Sequence, residues 1–292
     1  MLERILVPLD GSTSAEAILS QLRRMLRRHE SELILYYAQP LYPVMDDSDP
    51  EKYLRKIALE LTTEGFPSRY LLRPGLPADS ILETAKAHKS TRIALSTHGR
   101  TGVARWVLGS VAEKVLQASG LPVLVARSFP SSTFRGKLEA QPVRNFLVPL
   151  DGSRLSLGSL QSLLALARPV DAHVTLLHVA EPTPFEGRWE SPDETLKEAE
   201  RILREACIPA TVEIRRGDPG EVILKCVEDK EIDLITMTTH GRSGPARWVF
   251  GSVAAKVLRS ASVPLLVVRT GNHEGVGDES VAKGGTGSVV LY

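Results

Sequence analysis

Sulfur, net charge and long apolar runs are all scarce in this chain, and each scarcity removes a class of function. The two cysteines, Cys207 and Cys226, share no CxxC spacing, so neither a disulfide framework nor a zinc knuckle is encoded and a reducing compartment is expected. Thirty-six Lys and Arg residues against 35 Asp and Glu leave a formal charge of +1, too little to recruit nucleic acid or an anionic membrane through a global field. Any polyanion must be small and held locally. No stretch approaches the roughly 18 apolar residues of a membrane span. Met1-Leu2-Glu3-Arg4-Ile5 enters an apolar strand without the basic region of a secretory leader. A soluble, cytoplasmic protein is the expectation.

What the chain does have, it has twice. Thr97-His98-Gly99-Arg100, closed by Gly109-Ser110, returns as Thr239-His240-Gly241-Arg242 and Gly251-Ser252, a displacement of 142 residues from His98 to His240. Between residues 96–127 and 238–269, 20 of 32 aligned positions are identical, which marks duplicated domains. At 292 residues, two domains are also the division that size suggests. We divide the chain into a first domain at 1–128, a linker at 129–143, a second domain at 144–270 and a glycine-rich, flexible tail at 271–292.

Ile5-Leu6-Val7-Pro8-Leu9 reads as a buried strand that Asp10-Gly11-Ser12 turns into a helix, with Ser12 or Thr13 able to cap it. Phe146 to Ser153 repeats the pattern, ending in Asp151-Gly152-Ser153. The continuous apolar runs Leu33-Ile34-Leu35-Tyr36-Tyr37 and Val174 to Val179 are typical of strands covered on both faces, hence of a parallel sheet. Each half alternates strand and helix and closes with a last strand, Pro122 to Ala126 or Pro264 to Val268. The expected fold class is α/β: two tandem doubly wound domains, each a five-stranded parallel sheet with helices on both faces and ligands at the carboxyl ends of the strands. Left open, the two last strands would be exposed edges, so their pairing in an intramolecular pseudo-dimer is expected, with homodimerisation a further possibility.

The glycine loops sit where a strand hands over to a helix, a place where backbone N–H groups reach a phosphate. Gly99 and Gly109 allow close backbone approach, Ser110 and Val111 start the helix, and Arg100 and Arg105 offer charge-assisted bonds. Gly241, Gly251, Ser252, Val253, Arg242 and Arg247 repeat the set. The plainer alternative is that the glycines only make turns and the arginines only solvate a helix. His98 and His240 lack a second ligand at metal spacing, so no metal site is expected and hydrogen-bonded loop histidines are the simpler reading. Arg23 to Arg28 reads as a solvated helix face, and Trp106 and Trp248 as packing anchors.

Val-Pro-Leu-Asp-Gly-Ser on the first strand, Thr-His-Gly-Arg-Thr-Gly after the fourth, and Gly-Ser before a helix and Leu-Pro-Val-Leu-Val together resemble the universal stress protein family. The resemblance covers both halves. It implies a tandem member with the adenine-nucleotide α-hydrolase-like fold, and the ATP-binding branch, marked by glycine, two residues, glycine, nine residues, then glycine and serine or threonine. Gly99 with Gly109-Ser110, and Gly241 with Gly251-Ser252, match that pattern; Ser96 and Thr238 replace its first glycine. Carried over residue by residue, the resemblance implies nucleotide contacts at Pro8, Asp10, Ser12, Tyr37, Ser96, His98, Gly99, Arg100, Gly102, Gly109, Ser110 and Val111. In the second domain it implies Pro149, Asp151, Ser153, Val179, Thr238, His240, Gly241, Arg242, Gly244, Gly251, Ser252 and Val253. Asp10 and Asp151 would face adenine or ribose. Tyr37 and Val179 would touch the base, and the bulk of Tyr37 would make the second domain the better ATP site.

The implied function is an ATP-binding regulator of the stress response, with Mg2+ arriving on the phosphates. Two alternatives remain open. One is a slow ATPase, for which the chain has no GxxxxGK[ST] lysine and only Asp10 and Asp151 as carboxylates near the loops. The other is a nucleotide-free interaction module, against which both closing Gly-Ser pairs count. The expected partner is an adenine nucleotide, with neither nucleic acid nor membrane.

Overall fold

The computed structural model describes residues 3–41, 49–97, 108–127, 142–168, 171–180, 193–239 and 251–269. The expected linker, except for its last residues, and the tail lie outside them. In the first half the elements are β1 (Glu3–Pro8), α1 (Thr13–Met25), β2 (Ser31–Gln39), α2 (Pro50–Thr63), β3 (Ser68–Pro74), α3 (Pro77–Ala87), β4 (Arg92–Ser96), α4 (Ser110–Ala118) and β5 (Val123–Ala126). The second half follows with β6 (Asn145–Leu150), a 3-10 turn (Arg154–Leu157), α5 (Gly158–Ala167), β7 (His173–Ala180), α6 (Asp193–Glu205), β8 (Ala210–Arg216), α7 (Pro219–Asp229), β9 (Leu234–Thr238), α8 (Ser252–Ser260) and β10 (Leu265–Val268). Among these described residues no helix is long and apolar enough to cross a membrane.

All ten strands join one sheet in the order β3-β2-β1-β4-β5-β10-β9-β6-β7-β8. Within each half the strands run parallel. The halves meet at β5 and β10, which pair antiparallel with Leu265 opposite Val125, Leu266 opposite Leu124 and Val267 opposite Val123. Each of these strands would present unpaired backbone groups in an isolated domain, and the junction satisfies both rows at once.

Strand alternation sorts the core into two layers. Val7, Leu35, Leu54 and Phe146 belong to the layer covered by α1, α2, α5 and α6. Leu6, Ile34, Tyr36, Ile93 and Leu147 belong to the layer covered by α3, α4, α7 and α8. Burial on both faces explains why the strands read as unbroken apolar runs.

The halves are also tied together by polar groups. Arg24 on α1 corrects the expectation of a solvated face over Arg23 to Arg28: it is buried and donates through Nη2 to Asp233 Oδ1 at 3.3 Å, with side chains only 5% and 10% exposed. Asp233 Oδ2 accepts from the backbone N–H groups of Arg144 and Asn145, both at 3.0 Å. Arg127 donates to the carbonyl of Ala261 at 3.0 Å. A buried pair is costly to break because its partner keeps an uncompensated charge. Arg24→Ala is therefore expected to lower stability by about 3 kcal/mol in urea unfolding. Removing the exposed Arg55, paired with Glu51 on α2 at 3.1 Å, should leave the urea midpoint nearly unchanged.

Candidate functional site

In each half the strand order reverses between the first and fourth strands. β1 pairs with β2 on one side and β4 on the other, and β6 pairs likewise with β7 and β9. Their crossovers leave in opposite directions, so a crevice opens above the carboxyl ends of the central pair. The residues following β1 and β4, and β6 and β9, form its walls.

One wall is the Asp-Gly-Ser turn. Asp10 Oδ1 accepts from the Ser12 N–H at 3.0 Å and the Ser12 hydroxyl at 2.6 Å. Asp151 Oδ1 does the same with Ser153 at 2.9 and 2.6 Å. Gly11 and Gly152 both adopt φ of 85°, a left-handed conformation that explains glycine at the middle of each turn. Pro8 and Pro149 stand half-buried beneath.

The turns then diverge. Ser12 Oγ also accepts from Ala15 N–H at 3.1 Å and caps α1. Ser153 makes no such cap, and the chain passes through the 3-10 turn, where the Ser156 hydroxyl folds back on the Ser153 carbonyl at 2.6 Å. The expectation that the second half repeats the first helix start is thus corrected: Arg154-Leu155-Ser156-Leu157 closes i to i+3 before α5 begins.

The other wall is the helix start after the glycine loop. Thr97 takes part in the sheet through its N–H, which donates to Ala126 O at 2.8 Å, and its carbonyl accepts from Gly109 N–H at 2.8 Å. Thr239 bonds Val268 O and Gly251 N–H, each at 3.0 Å. The loop thus returns to the residue it left, and α4 or α8 begins at the crevice. Gly109 and Gly251 are the N-caps, and neither helix has a side-chain capping bond. With glycine as the N-cap, no N-cap side chain competes for the first-turn N–H groups at Ser110 and Val111 and at Ser252 and Val253, which stand at the positive end of the helix dipole. A Cβ on Gly251 would stand 3.3 Å from the Thr239 carbonyl oxygen, so glycine keeps this closure tight. Ser96 and Thr238 are buried at the strand ends beside it.

His98, Gly99, Arg100, Gly102, Arg105 and Trp106 lie outside the described residues, as do His240, Gly241, Arg242, Gly244, Arg247 and Trp248.

Tyr37 and Val179 are not counterparts. Pro8 faces Tyr36 in β2, whereas Pro149 faces Leu177 in β7, so Tyr37 matches His178 and Ala38 matches Val179. A one-residue slip changes the face of a strand. Tyr37 packs in the layer of α1 and α2, while Ala38 and Val179 pack in the layer of α4 and α8, which carries the open helix starts. The expectation that Tyr37 obstructs the first site opposite Val179 is corrected by this register: the residue on Val179's face is the small Ala38.

Two hydroxyl residues escaped the sequence reading. Thr195 on α6 donates to the Gly152 carbonyl at 2.8 Å. Its counterpart on α2, at the same displacement of 142, is Tyr53, whose buried hydroxyl stands beside Gly11, Glu16 and Asp10. Burial first, and then the Glu16 and Asp10 carboxylates, raise the Tyr53 pKa far above its ordinary value. The repeat spacing was the signal that could have found both.

The model of the universal stress protein family matches residues 1–127 and 142–269. A universal stress protein of Methanocaldococcus jannaschii is 33% identical over 144 residues, covering 45% of this chain and 85% of the relative. One from Synechocystis is 29% identical over 180 residues, covering 61% of this chain and 57% of the relative. The crystal structure of a universal stress protein from Archaeoglobus fulgidus aligns with a TM-score of 0.72 at 20% identity, over 92% of this chain and 98% of that one, and shares its fold.

The divergence of the two turns gives a direct prediction. Ser12→Ala removes a working cap and should cost about 1 kcal/mol, whereas Ser153→Ala should cost less in the same thermal or urea unfolding series. Equal losses would contradict the geometry.

Proposed function

The chain belongs to the universal stress protein family, and we propose that it is an adenine-nucleotide-dependent regulator, holding ATP at the crevice of one or both domains. The observation that carries this reading is the coincidence, in each half, of a glycine-capped helix start with a carboxylate-bearing turn across the switch point of the sheet. The helix start offers backbone donors to phosphates, and the turn offers an acceptor to the ribose or base. Ala38 and Val179 would lie against the base. Ser110 and Val111, and Ser252 and Val253, would hold phosphate oxygens through their N–H groups. The donor set fits a polyanion, since the N–H groups are aligned with the helix dipole and glycine keeps side-chain bulk out of the closure. The loop residues Gly99, Arg100, Gly102, Gly241, Arg242 and Gly244, with His98 and His240, extend the proposed site. Mg2+ would be held mainly by phosphates and water, supplying charge neutralisation.

A binding role is favoured over an ATPase because Asp10 and Asp151 each spend one oxygen on two bonds within their own turns. A general base must instead be aimed at the attacking water. Occupancy would be read through the turn and the α1 start in the first domain, and through the 3-10 turn in the second. A cytoplasmic setting accords with the free thiols of Cys207 and Cys226. The division into domains at 1–128 and 144–270, joined by a linker at 129–143 and followed by a tail at 271–292, belongs to the same proposal. Self-association of whole chains would need a surface other than β5 and β10, whose edges are already used.

Calorimetric titration of nucleotide-stripped protein with Mg-ATP is expected to show binding below millimolar concentration, and Gly109→Val and Gly251→Val should each remove one domain's share. Absence of binding at millimolar ATP would sink the proposal. Simultaneous loss from either variant, with lowered thermal stability, would indicate misfolding, and Ser110→Pro and Ser252→Pro, which remove a single N–H at the first helical position, then carry the comparison.

A further inference from the structure

The two crevices differ in the side chains set against their turns. In the first domain, α1 carries Glu16 in its opening turn, and Tyr53 reaches from α2 to the same place, its hydroxyl beside Gly11 and the Glu16 and Asp10 carboxylates. In the second, the position of Glu16 is taken by Leu157, which packs into the apolar layer, and that of Tyr53 by Thr195, whose hydroxyl is spent on the Gly152 carbonyl. The strand register supports the second correspondence, and counting from the matched turns gives the first, with Glu16 in α1 and Leu157 in the 3-10 turn. Ser68 pairs with Leu33 as Ala210 pairs with Val174, which fixes the displacement of the second helix, and the matched Asp-Gly-Ser turns fix that of the first.

The consequence is electrostatic and steric together. The Asp10 turn of the first crevice is flanked by a second carboxylate, Glu16, and by the buried Tyr53 phenol. At the second turn Asp151 stands with Leu157 in the apolar layer, Thr195 bonded to Gly152, and the Arg154 guanidinium following Ser153 within electrostatic reach of Glu198. Like charges near a polyphosphate raise its energy, most where water is partly excluded. Resting on the nucleotide reading above, we infer that the domains are unequal by construction: the second takes the triphosphate, and the first, through Glu16 and Tyr53, discriminates against highly charged nucleotides.

The test uses the full chain, with Mg-ATP and AMP as calorimetric probes. Wild type is expected to bind ATP at one tight site and a second at least tenfold weaker, the tight site disappearing in Gly251→Val and persisting in Gly109→Val. In Gly251→Val, which isolates the first crevice, AMP should bind within threefold of ATP. Glu16→Leu with Tyr53→Thr should strengthen ATP binding there at least tenfold, and Leu157→Glu with Thr195→Tyr should weaken the tight site by a similar factor. Glu16→Gln, which keeps the shape, should give at least a threefold gain if the double variant unfolds. Two equal ATP sites in wild type, or a tight site that vanishes with Gly109→Val, overturns the inference and leaves the nucleotide reading intact. No ATP binding at all overturns the reading beneath it.

Discussion

The crossover connections of a parallel sheet must leave on opposite sides of β1 and β4, and everything functional in this molecule follows from the gap that this reversal creates. A parallel strand pair cannot be joined by a tight turn, so helices fill both faces and the loops collect at the strand ends. Only at the reversal do two neighbouring strands release their chains away from each other. The Asp10 turn and the α4 start occupy that point in one half, and the Asp151 turn and the α8 start in the other. The backbone bonds from Gly109 to Thr97 and from Gly251 to Thr239 then pin each helix start against the sheet. Both walls are held by main-chain geometry, with side chains left to tune what enters.

The antiparallel junction of β5 and β10 extends the same sheet without adding a crevice, because strand order does not reverse there. It turns two domains, each with an open edge, into a continuous ten-stranded layer. Arg24 and Asp233 reinforce it with a buried pair that belongs to no internal repeat, since position 91, the counterpart of Asp233, is a threonine. The two halves also differ at their turns: Ser12 caps a helix, while Ser153 precedes a 3-10 turn.

Much of this was legible from residues alone. Strand runs such as Ile5 to Leu9 announce burial on both faces, and the doubled Gly-Ser loop announces duplication and a strand-to-helix handover. Register was not legible, because neither Tyr36-Tyr37-Ala38 nor Leu177-His178-Val179 shows which of its residues faces which layer until it is paired to Pro8 or Pro149. Nor was the difference between the helix starts, since Asp-Gly-Ser is identical in both and the outcome depends on the four residues that follow. Contacts made by Tyr53 and Thr195 run from a helix to a turn distant in sequence, and helix or strand periodicity does not show them, although the repeat spacing pairs the two positions.

The central claim is that anionic ligand is held by the backbone of the two helix starts. Amide hydrogen exchange with and without Mg-ATP tests it at residue level. The account predicts slowed exchange at residues 110–112 and 252–254 and at the Gly11 and Gly152 turns, with the outer strands β3 and β8 unaffected. Unchanged exchange at both helix starts under saturating nucleotide, or protection spread evenly over the sheet, would contradict it.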